Sequence, residues 1–190
     1  MNLRPSSPIT FWHEIESPVG PLLLVGSEQA LSRVGFQAGP RPLRTRPEWL
    51  RSAGPFGAVV AQLDAYFAGA LRVFRLPLAP RGTAFQLAVW RALQEIPYGD
   101  TLAYSELARR LGHANGARAV GLANGANPLP IIVPCHRVIG ADGSLTGFGG
   151  GLHIKRALLA HEGAACVSDL FSVARAREPR ASPPPGARGS

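Results

Sequence analysis

The chain has 190 residues, 46% of them hydrophobic and 17% charged, which is enough apolar text for a packed core in one domain or two small ones and is not a disordered composition. No stretch approaches the ~20 apolar residues of a membrane span, and the opening MNLRPSSPITFWHEI lacks the apolar run of a secretory leader, so a cytoplasmic protein without membrane contact is expected. The formal charge of +8 comes from 20 basic against 12 acidic residues, with Lys155 the only lysine, and a body this basic suits a polyanionic partner.

From Ile9 to Phe36 short β-prone runs alternate with Pro/Gly and Gly/Ser breaks, which predicts two or three strands of a meander. RPLRTRPEWLRSAGP is too rich in proline for a long element. PFGAVVAQLDAYFAG then places Phe56, Val59, Val60, Leu63, Tyr66 and Phe67 on one helical face, with Pro55 in the first turn and Gly69 just past the end. LRVFRLPLAPRG reads as one more strand and a linker, so an N-terminal α+β domain with its linker is expected over 1–79 and a second domain over 80–165.

The second domain opens with Thr83 capping a helix that carries Phe85, Ala88, Val89, Ala92, Leu93 and Ile96, and PYGD stops it. A short helix around Glu106–Leu111, a turn with Gly112 and Gly116, and a helix from about Ala117 to Ala126 form either a helix-turn-helix or an ordinary helical hairpin. In the latter helix Arg118 stands alone among Ala117, Ala119, Gly121, Ala123 and Gly125. Such a surface approaches a backbone or a narrow groove closely but has little with which to read major-groove base edges. GADGSLTGFGGG is a glycine-rich loop, LHIKRALLAHEG a final helix closed by Gly163, and the composition of 166–190 predicts a disordered tail.

Only two cysteines occur, Cys135 and Cys166, too few for a disulfide framework, and both read as free thiols. Cys135 adjoins His136 in IIVPCHRVIG. A thiol reacts as thiolate, and a neighbouring imidazole can draw its proton. Adjacent residues of an extended backbone point to opposite faces, so His136 reaches Cys135 only if the backbone turns there or a water relays the proton. The nearest acid able to orient the imidazole is Glu162 in LLAHEG. Taken alone, a cysteine such as Cys135 is more often a buried small hydrophobe than a nucleophile. A metal site is excluded on ligand count, because two adjacent ligands without a second pair cannot complete a four-coordinate zinc.

VPCHRVI resembles the active-site signature of the O6-alkylguanine-DNA alkyltransferases, also called methylated-DNA:protein-cysteine methyltransferases. SPVGPLLLVGSEQALSRVGF, LDAYFAG, FQLAVWRALQEIPYGDTLAYSELA, RAVGLANGANPLPIIVPCHRV and LLAHEG are similar to family landmarks in the same order, covering roughly residues 10 to 165.

The resemblance implies a ribonuclease H-like α+β domain followed by a mostly helical domain with a winged helix-turn-helix. It further implies minor-groove binding of double-stranded DNA with little sequence preference, flipping of the damaged nucleotide, and irreversible, single-turnover transfer of the O6 alkyl group of guanine, or the O4 methyl of thymine, to Cys135. His136, through a water, and Glu162 then correspond to the activating relay, and Tyr104 to the proton donor to the leaving base. Arg118 corresponds to the side chain that fills the space of the flipped base, with Ala117, Ala119 and Gly121 beside it on the groove face. Asn127 corresponds to the brace between that helix and the active site, while the carbonyls of Cys135 and Val138, Phe148 and the Gly149 N–H line the guanine pocket. No cofactor or metal is implied, and the free protein is expected to be a monomer. The loop departs modestly from the family pattern, with Phe148 where an aromatic, often tyrosine, is usual and Gly149 where alanine or serine is more common. Three other functions make different demands: a non-catalytic alkylated-DNA sensor lacks the thiol, a cysteine hydrolase needs an oxyanion hole, and a transcriptional regulator needs base-reading side chains.

Overall fold

A computed structural model describes residues 9–164; the expected tail at 166–190, with Cys166, lies outside the described residues. The meander forms as expected, with β2 (Leu22–Gly26) antiparallel to both β1 (Phe11–Ile15) and β3 (Leu31–Phe36). A two-residue β4 (Leu50–Arg51) adds to β1 in parallel, giving the order β3-β2-β1-β4. Every residue of β2 is buried, which explains why LLLV reads as a continuous apolar run and not as an alternating one. Leu22 and Leu24 join the main core. On the other face lies the proline-rich segment, whose Leu43 sits against Gly35 and accepts from Gln37 Nε2 at 3.1 Å. That segment is a strap over the sheet, with β4 as its only regular piece.

A 3-10 turn (Gly54–Phe56) containing Pro55 leads into α1 (Gly57–Phe67), and Gly69 comes after it at φ 75°, a conformation that costs glycine nothing. The strand expected in LRVFRLPLAPRG does not form. Pro77 and Pro80 lack the N–H groups a ladder needs, and the segment makes only an isolated bridge, Leu78 to Leu31, with Pro77 O accepting from Leu31 N at 2.9 Å.

In α2 (Ala84–Gln94) Thr83 and Gln86 form a reciprocal capping box. Next in the chain are β5 (Leu102–Ala103), α3 (Tyr104–Arg110), α4 (Ala117–Gly125), β6 (Val138–Ile139), parallel to β5, and α5 (Leu152–His161). Trp90 of α2, 2% exposed, donates from Nε1 to Ala123 O at 2.8 Å and so fixes α4 against α2. The sheet meets the α4 exit where Val34 N donates to Pro128 O at 2.8 Å. The fold is α+β, a sheet with one helix followed by a mostly helical part. No helix among the described residues is long and apolar enough to cross a membrane.

Candidate active site

Asn127 and Pro128 lie just past the end of α4, and Asn127 shapes the segment that leads to the cysteine: its Nδ2 donates to Val133 O at 2.8 Å and its Oδ1 accepts from Leu129 N at 3.0 Å. Inside this braced segment Ile131 sits at φ 74°, the sole non-glycine residue with positive φ among the described residues. A β-branched residue there costs on the order of 1–3 kcal/mol, which its complete burial and the Asn127 bonds must offset. The chain then enters a 3-10 turn spanning Cys135–Arg137. The backbone thus turns at the cysteine, but no hydrogen bond joins the Cys135 sulfur to His136 Nδ1 among the described residues, which leaves the water relay as the route between them.

Cys135 is 4% exposed, and burial pushes its thiol up to about 11 against the opposing pull of a side-chain bond from Asn127 and the charge of Lys155. His136 is wholly buried, and desolvation holds its imidazole below the usual histidine value although Glu162 pulls the other way. Glu162 is the hub of the site. Its Oε1 accepts from Tyr66 Oη at 2.8 Å and Arg137 Nη2 at 2.9 Å and lies 2.8 Å from His136 Nε2; its Oε2 accepts from Arg137 Nε at 2.8 Å and Gly99 N at 3.2 Å. Burial pushes this carboxyl up, but the bonds from His136 and Arg137 outweigh it and hold it far below the usual carboxylate range. An ionised carboxylate only accepts, so the proton of neutral His136 sits on Nε2. His136 Nδ1, buried and without a hydrogen-bond partner among the described residues, is then a basic lone pair on the residue next to the thiol.

Tyr104 opens α3, its hydroxyl donating to Thr146 O at 3.4 Å and accepting from Asn124 Nδ2 at 3.4 Å. Burial raises its pKa, so the phenol is protonated at neutral pH. Two cavities meet at the glycine-rich loop. One, of about 470 Å³, is lined by Cys135, Asn124, Asn127, Phe36, Phe148 and Gly149 among others. The other, of about 680 Å³, holds Tyr104, Ala117, Arg118, Gly121 and Leu122, and shares Phe148 and Gly149 as a wall. Phe148 packs on Phe36 with ring centroids 5.6 Å apart, and a Cβ on Gly150 would approach the Phe36 ring to 2.6 Å, whereas one on Gly149 would meet nothing within 4 Å. Ala119 and Arg118 are exposed on α4.

Val138 is placed differently from the rest. It is fully buried, lines neither cavity, and its carbonyl accepts from Lys155 Nζ at 2.6 Å. The Cys135 carbonyl likewise accepts from Asn124 Nδ2 at 3.2 Å. Four residues that sequence reasoning missed thus support the site: Tyr66, Arg137, Asn124 and Lys155. Arg137 alone carried a signal, its place beside His136.

The chain matches the family models for the 6-O-methylguanine DNA methyltransferase ribonuclease-like domain over residues 10–80 and DNA binding domain over residues 84–164. It is 52% identical over 148 residues to the methylated-DNA–protein-cysteine methyltransferase of Methanosarcina acetivorans, spanning 78% of this chain and 95% of that one. It is 51% identical over 160 residues to that of Mycobacterium bovis, spanning 84% and 96%. Mycobacterium tuberculosis OGT, solved in complex with DNA, superposes with a TM-score of 0.76 at 49% identity, over 85% of this chain and 99% of that one. With both halves matched and relatives of this identity aligned over nearly their whole length, the chain belongs to the 6-O-methylguanine DNA methyltransferase family.

Proposed function

We propose that the protein is a direct-reversal DNA repair methyltransferase that moves the alkyl group of O6-alkylguanine in duplex DNA onto Cys135 in a single turnover. The observation that carries this reading is a buried thiol beside an imidazole whose Nε2 is held 2.8 Å from Glu162, opening onto a cavity walled by the same loop as the Tyr104 and Arg118 cavity. Arg118, exposed on a helix of small side chains, fills the space of the extruded nucleotide as α4 lies in the minor groove, with contacts to phosphate rather than to base edges.

The chemistry is set by the protonation states. As the base enters, water leaves the cavity and the Cys135 proton passes through a bridging water to His136 Nδ1, while Glu162 balances the new charge. Sulfur attacks the alkyl carbon, the S–C bond forms as the C–O6 bond breaks, and the electron pair withdraws into the guanine. Tyr104 gives a proton to the leaving base and is reprotonated from solvent, as His136 releases its own. The net change is one thiol proton to guanine and one thioether that nothing in the site can reverse. Presence of the thiol separates this chain from non-catalytic lesion sensors. In this reading the protein acts as a monomer in the cytoplasm on duplex DNA.

The test is a titration of a duplex carrying O6-methylguanine. Repaired lesions are expected to plateau at one per protein molecule at every ratio. Repair continuing beyond that plateau would make the protein a turnover enzyme and defeat the reading.

A further inference from the structure

Tyr66 of α1 is wholly buried, and through it the N-terminal half places a phenol among residues that otherwise come from the second half. Its Oη donates to Glu162 Oε1 at 2.8 Å, the same oxygen that lies 2.8 Å from His136 Nε2. The ring is fixed against Phe67, Phe74 and His161 at centroid distances of 5.2, 5.4 and 5.0 Å, and the Tyr66 carbonyl accepts from His161 Nε2 at 2.8 Å. Burial first, and the Glu162 charge after it, push the phenol's pKa far above its ordinary value, so the hydroxyl is a permanent donor. Arg137 already binds both oxygens of Glu162 and keeps the carboxyl ionised, so the phenol is not needed to hold that charge. Its effect falls on the shared oxygen. Oε1 takes three donors and Oε2 two, against about four lone-pair sites on a carboxylate, so each donor on Oε1 weakens the hold of that oxygen on the others.

We propose that Tyr66 is a positioning residue of the transfer reaction: by occupying Glu162 Oε1 it limits the pull of the carboxylate on His136 and keeps the imidazole neutral, ready to take the Cys135 proton. An unshared carboxylate beside an imidazole favours the imidazolium, which has no lone pair at Nδ1 to offer the thiol. The relay in the second half is thus tuned by a side chain of the first. The other ionisable groups around the pair are Cys135 and Arg137 on the turn, Lys155 and His161 on α5, Tyr98 before β5, and Arg72 over the Tyr98 ring. All keep their places when only the Tyr66 hydroxyl changes. This role rests on the alkyl-transfer reading above.

The experiment follows His136 by imidazole-nitrogen NMR in the full chain and, in parallel, the single-turnover repair rate of an O6-methylguanine duplex, both from acid to alkaline pH. In Tyr66→Phe the imidazole midpoint and the rising acid limb of the rate should move up together by about one pH unit. At the alkaline end the rate should return to within ~2-fold of wild type, because His136 is neutral in both. Tyr66→3-fluorotyrosine, a stronger donor in the same packing, should move both downward. Phe74→Leu, which trims a ring packed on Tyr66, should leave the midpoint in place. A midpoint unmoved in Tyr66→Phe, a fluorotyrosine shift in the same direction as phenylalanine's, or a rate lowered by one factor at every pH overturns the proposal and leaves alkyl transfer standing. Failure of wild type to repair the duplex overturns the alkyl-transfer reading itself, and this role with it.

Discussion

Cys135 is a thiol that keeps its proton until a substrate gives it reason to leave. Burial holds its pKa up to about 11 against a starting value of 9.0, so at neutral pH the resting sulfur is a weak nucleophile toward anything that does not enter the cavity. Iodoacetamide should therefore label native Cys135 far more slowly than the denatured chain at pH 8, with the native rate still climbing as pH rises toward 11; site-resolved mass spectrometry across that range checks it. A native labelling curve that levels off at or below pH 9 would contradict the assigned burial. The same raised pKa contributes a little stability below pH 9 that is lost between 9 and 11. Cys135, His136 and Glu162 were legible in the sequence because two are neighbours and the third sits in a recognisable helix ending. Tyr66 was not, since it lies 96 residues from the carboxylate it serves and reads locally as one more apolar helix position. Asn124 was hidden in the same way, in a helix whose text is dominated by Ala117, Ala119, Gly121, Ala123 and Gly125.

At the scale of elements, the helices were legible from their periodicity and caps, Thr83 and Gly69 among them. The proline-containing segments were harder. LRVFRLPLAPRG has the composition of a strand but not the donors of one, and β4 is two residues long, so its place beside β1 is decided by tertiary contact. The helix that matters most for DNA is α4, which exposes Arg118 and places Gly121 so that an added Cβ would sit 3.8 Å from the Tyr104 ring. Arg118→Ala is expected to slow repair of O6-methylguanine in duplex by ~10-fold or more, as loss of the side chain that replaces the flipped base, while leaving reaction with free O6-benzylguanine within ~2-fold. Parallel inactivation kinetics on the two substrates decide the matter, and equal losses would remove Arg118 from extrusion.

Across the whole molecule, Glu162 ties distant parts of the chain together: Tyr66 in α1, Gly99 before β5, and His136 and Arg137 in the active-site turn. Its side chain is fully buried, so Glu162→Gln leaves the Arg137 guanidinium without its counter-charge, a loss of about 3–5 kcal/mol near pH 7. Urea denaturation should show a lower midpoint with an unchanged slope. Because the folded carboxyl is held below its unfolded value of 4.5, the stabilisation is full above that pH and fades as pH falls toward the folded value. The gap between wild type and variant should accordingly narrow in acid; a gap below ~1 kcal/mol at pH 7 would mean that the hub is not structural. This convergence, like the strap over the second face of the sheet, could not be read from the sequence, because it depends on how the two halves meet and not on any local pattern.

Intact-mass spectrometry after incubation with a duplex carrying O6-methylguanine is the most direct test of alkyl transfer to the protein. The expected result is stoichiometric gain of a single methyl group, mapped by peptide sequencing to Cys135, and no gain in Cys135→Ser. An unmodified protein after repair of the lesion, or a methyl group found on Cys166 or any other residue, would contradict it.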